Sequence, residues 1–175
     1  ADCSVNSFIV PEYLHESAVL PERFGLPDRK SLGWYYENLP NSDQFVEWNS
    51  NEVLYAFSTE GVDGGILTFQ STHPKWSYAR LNNKGWVSAV AEKQPISTNA
   101  TVGIYYYAKG SDYVRCANSM IKKNIRTNNE FYVCPVYNEL IAEGGKVRIK
   151  NIERMWGLGT PEDLNNFITN YQRKY

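Results

Sequence analysis

At 175 residues, with 42% hydrophobic and 21% charged content, the chain fits one domain of ordinary globular composition and can bury a sizeable core. A net charge of -1 and a pI near 6.2 exclude a broad electrostatic pull toward nucleic acid or an anionic membrane, so a phosphate-bearing ligand must be held by a few local groups. The cysteines are Cys3, Cys116 and Cys134, widely spaced and without a CxxC, and the only histidines are His15 and His73. Neither a disulfide framework nor a histidine-rich metal site is indicated, and Cys116 and Cys134 are expected to be small buried hydrophobes. No apolar run approaches the ~18 residues of a membrane span and no signal-peptide core is visible. The expectation is a cytoplasmic protein that contacts neither membrane nor nucleic acid.

In chain order, residues 1–39 form an atypical, loop-rich N-terminal segment broken by Pro11, Pro21 and Pro27, with Ser4–Val10 a short strand or helix. From residue 40 the signals sharpen. Asn49 or Ser50 is an N-cap for a helix to about Phe57. Gly61–Gly65 turns the chain, and Ile66–Phe69 has strand character. Tyr78–Leu81 and Val87–Ala91 are strands joined through Asn82-Asn83-Lys84-Gly85, whose Asn and Gly tolerate the positive φ of a hairpin turn. Ala100–Tyr107 is an apolar strand. Ser111 is the expected cap of a helix carrying Val114, Ala117, Met120, Ile121 and Ile125 at helical spacing. A second helix is expected from Asn129 to Ala142, stopped by Gly144-Gly145. Val147–Ile152 alternates as a strand. Thr160-Pro161-Glu162-Asp163 opens a last helix with a capping hydroxyl, proline in the first turn and acids that complement the dipole. This order gives an α/β fold of three layers around a mixed, mostly parallel sheet.

Two places could carry chemistry. Between the strands ending at Ala91 and starting at Ala100 sits Glu92–Lys93, followed by Gln94–Pro95, which forces the chain off the strand path. A charged pair where a buried strand ends can hold a polar ligand; the plain alternative is a solvated turn. Asp43 lies at the rim of a strand or in the loop beyond it, where open α/β sheets bind ligands, and a carboxylate there can hold Mg2+ against phosphate oxygens. Its plain alternative is an Asx turn or helix cap. His73 and Trp76, in a loop, could line a ligand pocket or simply pack.

Six segments resemble the bacterial sugar-1-phosphate nucleotidyltransferases, also called nucleotide-sugar pyrophosphorylases: NSDQFVEW (Asn41–Trp48), GGILTF (Gly64–Phe69), AEKQPIS (Ala91–Ser97), ATVGIYYY (Ala100–Tyr107), NNEFYVCPVYNELI (Asn128–Ile141) and MWGLGTPEDLNNF (Met155–Phe167). They run in order from about Pro40 to Tyr171. The resemblance implies a glycosyltransferase-A-like (nucleotide-diphospho-sugar transferase) fold, incomplete at its N-terminal side, with 40–175 as the sugar-phosphate-binding part. It implies that a sugar-1-phosphate and a nucleoside triphosphate are joined into a nucleotide sugar with release of pyrophosphate, a precursor for polysaccharide or capsule. Under it, Lys93 holds the phosphate of the sugar phosphate and acts with Asp43 as a catalytic residue. Glu92 accepts bonds from sugar hydroxyls, Asp43 ligates Mg2+, Gly103 lets the sugar approach the backbone, and Tyr105 and Glu130 make further sugar contacts.

The sequence departs from the family in two places. The N-terminal glycine-rich loop that cradles the triphosphate is absent, so turnover would require that half to be supplied. Gly157 stands where some members carry a second metal-binding aspartate. The alternative function is therefore a non-catalytic domain that binds a sugar phosphate or nucleotide sugar. A plain glycosyltransferase ranks below both, because Asp43-Gln44-Phe45 lacks the acidic DxD. A truncated sheet would also leave an edge strand open to pairing in a homo-oligomer.

Overall fold

The structure, a computed structural model, describes the backbone of residues 8–10 and the whole of residues 44–171. Its central sheet has the order β5 (Val87–Ala91), β4 (Tyr78–Leu81), β6 (Asn99–Tyr107), β3 (Gly64–Gln70), β7 (Val147–Asn151), and β1 (Phe8–Val10) also pairs with β6. A separate two-stranded ribbon joins β2 (Gln44–Glu47) to β8 (Arg154–Gly157). The helices are α1 (Ser50–Glu60), α2 (Gly110–Lys122), α3 (Val136–Ala142) and α4 (Pro161–Asn170).

The layering follows from strand alternation. Tyr105 and Tyr107 of β6, with Ile66 of β3, face α2 and α3, where Tyr113, Cys116, Ala117, Met120, Tyr137 and Leu140 meet them. Val102, Ile104 and Tyr106, with Leu67, face the other way onto Val53 and Phe57 of α1 and Val46 of β2. Residues 100–107 are buried throughout, as a central strand covered on both faces requires. The paired glycines of β3 permit this thickness. A Cβ on Gly64 would sit 2.6 Å from the Tyr137 ring, and one on Gly65 would collide with Phe57. The Tyr137 hydroxyl then lies 2.9 Å from Gly65 O and 2.8 Å from Tyr106 O, stitching α3 to both strands.

The three layers and the mixed sheet are as expected from the sequence, but the predominance of parallel pairing is not. Among the described strands only β3 and β7 run parallel; the other pairs are antiparallel. One antiparallel pair is dictated by its connection. The β4–β5 link is the tight Asn82–Gly85 turn, with Gly85 at φ 76°, and a link that short can only reverse the chain.

The expected N-caps of α1 and α4 are found, and a glycine closes α1. Asn49 accepts from Glu52 N–H at 3.2 Å and Thr160 from Asp163 N–H at 3.1 Å, while Gly61 closes α1 at φ 62°. Two helix starts differ, α1 runs on to Glu60, and one strand pair is unforeseen. Helix α2 starts at Gly110, ahead of Ser111. The helix expected from Asn129 begins only at Val136, because Pro135 disfavours helical backbone at Cys134 and the preceding Asn128 and Asn129 have φ 49° and 64°. The β2–β8 ribbon has no strand signal in either segment; it forms by long-range pairing.

Candidate functional site

Strand β5 ends at Ala91, and the next two residues part company. Glu92 is buried, only 8% exposed, whereas Lys93 is exposed. Lys93 has φ 53°, a left-handed backbone that costs a non-glycine residue about 1–2 kcal/mol. Side chains that would alternate regularly along a strand are redirected there, Glu92 inward and Lys93 toward the loop before α3.

The position of the pair is fixed from three sides. Ser77, ahead of β4, donates its hydroxyl to Glu92 Oε2, and Ser77 O accepts from Thr101 N–H of β6 at 2.8 Å. Asn138 of α3 clamps the edge of β5: its Oδ1 accepts from Val90 N–H at 2.9 Å and its Nδ2 donates to Val90 O at 3.0 Å. The amide thus satisfies both backbone groups of an edge residue, as a neighbouring strand would. After the pair, Ser97 Oγ and Asn99 Nδ2 donate to Ala79 O at 2.8 and 3.2 Å, so the loop returns to β4.

The third side is the segment before α3. Thr127 and Glu130 exchange backbone hydrogen bonds of 3.0 and 2.9 Å around Asn128-Asn129, and asparagine tolerates positive φ better than most residues other than glycine. Arg126 stiffens it, lying 3.8 Å over the Phe131 ring and donating to Asn124 Oδ1 and Asn129 O. From this base Glu130 Oε2 accepts from the Tyr132 hydroxyl at 2.6 Å, and Tyr132 Oη accepts from Lys93 Nζ at 2.8 Å. The ammonium also stands 4.8 Å from the centre of the Tyr132 ring.

The electrostatics follow from this geometry. Burial pushes the Glu92 carboxyl above its ordinary value of 4.5; the Ser77 hydrogen bond and the Lys93 charge pull it back by less. Tyr132 is raised, first by burial and then by its bond to Glu130. The result is a buried carboxylate able to accept hydrogen bonds beside an exposed cation able to meet an anion.

Gly103, at φ 72°, sits in the irregularity of β6 opposite Ile66–Thr68 of β3, a bulge that only glycine enters without strain. The side-chain amide of Gln44 donates to the carbonyl of Val102 beside it. Tyr105 lies in the core, fully buried against Tyr137 at 5.8 Å between ring centres, with its hydroxyl 3.0 Å from Thr101 Oγ1. Asp43 is outside the described residues. The structure thus links Lys93 to Glu130 through Tyr132, beside Glu92, and places Tyr105 in the core. Ser77, Tyr132 and Asn138 were not singled out from sequence; Tyr132 and Asn138 lay inside a segment assigned to one continuous helix.

The loop before β4 is largely exposed, with His73 on the surface and Trp76 half-buried. His73 Nδ1 accepts from Lys75 N–H at 3.2 Å, Trp76 stacks edge-on with Phe69 at 5.4 Å, and Lys75 reaches Asp163 at 3.7 Å. Gly157 is backed by the carboxylate of Asp163, whose Cγ would lie 3.3 Å from an added Cβ. No group of three or more potential metal ligands occurs among the described residues. No helix of the described residues is long and apolar enough to cross a membrane.

Neither a protein-family model nor a curated protein matches this sequence. Solved structures do match in three dimensions. The chain is similar to a nucleoside-diphosphate-sugar pyrophosphorylase of Vibrio cholerae, with TM-score 0.60 and 23% identity over 73% of this chain and 53% of that one. It is also similar to a protein of Bacillus anthracis designated a glucose-1-phosphate thymidylyltransferase and crystallised with sucrose, with TM-score 0.56 and 16% identity over 85% of this chain and 63% of that one. The chain has the nucleotidyltransferase fold in part. It spans between half and two thirds of these neighbours.

Proposed function

We propose that this chain recognises a sugar-1-phosphate and serves the nucleotidyltransferase reaction that joins it to a nucleoside triphosphate. A phosphate oxygen of the sugar-1-phosphate attacks the α-phosphorus, the bond to the bridging oxygen of the β-phosphate breaks, and pyrophosphate leaves with that oxygen. This chemistry needs positioning and charge neutralisation more than a covalent intermediate. The observation that carries the reading is the divided pair at the end of β5: a buried Glu92 carboxylate next to an exposed Lys93 ammonium on strained backbone.

In this reading Lys93 holds the sugar phosphate as a compact point charge and Glu92 accepts from sugar hydroxyls. Glu130 adds an acceptor at the exposed side, and Gly103 is the position assigned to close approach of the sugar to the strand backbone. Asp43 is the residue assigned to Mg2+, which when bound would neutralise phosphate charge. The source of the triphosphate site is assigned to a segment other than residues 44–171. Precursor supply for polysaccharide follows from the product class.

The test is pyrophosphate release with a panel of sugar-1-phosphates and nucleoside triphosphates, alongside calorimetry with each sugar-1-phosphate. Turnover that disappears in Lys93→Ala and Asp43→Ala supports the enzyme. Binding without turnover, lost in Lys93→Ala, replaces it with a non-catalytic sugar-phosphate receptor. Absence of both overturns the reading.

A further inference from the structure

We propose that Tyr132 is a positioning residue that fixes the Lys93 ammonium for an incoming phosphate while keeping Glu130 from neutralising it. The inference rests on the reading of Lys93 as the phosphate-binding group.

The hydrogen-bond order is defined by chemistry. An ammonium only donates and a carboxylate only accepts, so the hydroxyl between them must accept from Lys93 Nζ at 2.8 Å and donate to Glu130 Oε2 at 2.6 Å. Tyr132 is 6% exposed, while Lys93 and Glu130 on either side are exposed. A rigid, buried ring thus presents one polar atom between two flexible charged side chains.

Two consequences follow for Lys93. Its four-carbon stem would otherwise sample many rotamers, and holding it costs entropy that the buried hydroxyl and ring face offset in advance of ligand. A neutral hydroxyl also stands where a carboxylate could have paired directly. A direct Lys93–Glu130 pair would oppose an incoming phosphate with a negative charge in contact. With the spacer the carboxylate is one group removed. The left-handed backbone at Lys93 and the Asn128-Asn129 turn under Glu130 set the two ends of this chain independently of one another.

Tyr132→Phe keeps the ring and removes the bridge, so packing is retained. We test it with glucose 1-phosphate and inorganic phosphate as probes, in wild type, Tyr132→Phe, Lys93→Met and the double variant. The measurements are calorimetric affinity and the NMR signals of the Lys93 ε-methylene in the free protein. The expected result is a shift of the Lys93 signals in Tyr132→Phe and about tenfold weaker glucose 1-phosphate binding, the size of one hydrogen bond to a charged group. In the Lys93→Met background the same tyrosine substitution should have no further effect, since Tyr132 acts through Lys93. Additive losses, or unshifted Lys93 signals with unchanged affinity in Tyr132→Phe, overturn the positioning role while a loss in Lys93→Met preserves the phosphate reading. Unchanged affinity in Lys93→Met overturns the phosphate reading, and the positioning role for phosphate with it.

Discussion

Glu92 and Glu139 are both buried glutamates, 8% and 7% exposed, and each accepts a hydrogen bond from a serine hydroxyl. Their carboxyls nevertheless move in opposite directions. Glu139 also accepts from Lys123 Nζ at 2.6 Å, so Lys123 first and Ser119 second hold it below its ordinary 4.5. Glu92 has a lysine as its immediate neighbour, but the Lys93 ammonium donates to Tyr132, and burial wins, raising the carboxyl. The same residue types thus give two different objects. Between α2 and α3 the chain itself completes the carboxylate, which ties helix to helix. At the end of β5 it is left receptive to donors such as ligand hydroxyls, and a buried charge kept in that condition is characteristic of a binding site more than of scaffolding.

The contrast can be broken in order of expected effect. Asn138→Ala removes both side-chain bonds to Val90 behind Glu92, and should cost about 2 kcal/mol of stability in denaturant unfolding. Sugar-phosphate affinity should fall in the same variant; unaltered affinity would mean that the edge clamp does not position the pair. Lys123→Met leaves Glu139 with its serine alone. The loss should be about 1 kcal/mol at neutral pH, because the lysine side chain is 56% exposed and its charge is partly screened.

Glu92→Gln should have the smallest effect and the opposite sign. A raised native carboxyl binds its proton more tightly than the unfolded chain does, so its contribution to stability is present below pH 4.5 and is lost as pH rises through the native value. The glutamine variant should therefore unfold at a slightly higher temperature than wild type at pH 7, with the advantage vanishing below pH 4.5, while binding of glucose 1-phosphate weakens. For Glu139 the linkage is reversed: its contribution is present above pH 4.5 and is lost as pH falls through the lowered native value. Lys123→Met should flatten that acid-side loss. If both variants change the pH profile in the same direction, the contrast between the two carboxylates fails.

Local chemistry made much of the molecule legible in advance. The caps at Asn49 and Thr160, the Asn82–Gly85 hairpin and the burial of residues 100–107 depend on neighbouring residues in sequence, and such signals survive folding because they are made of short-range geometry. The Glu92–Lys93 pair was visible for the same reason, as charge at the end of an apolar strand. The β2–β8 ribbon was not, since its partners are more than one hundred residues apart and neither strand has an alternating pattern of its own.

What the sequence by itself determined is the set of layers and the place where charge interrupts the sheet. Only the tertiary structure decided what that charge does. The antiparallel pairing of β4, β5 and β6 brings Ser77 to Glu92, and the turn at Asn128-Asn129 delivers Tyr132 to Lys93, thirty-nine positions away. Burial shifts a carboxylate only through the groups that surround it in space, and for Glu92 these include Ser77, brought beside it from just ahead of β4.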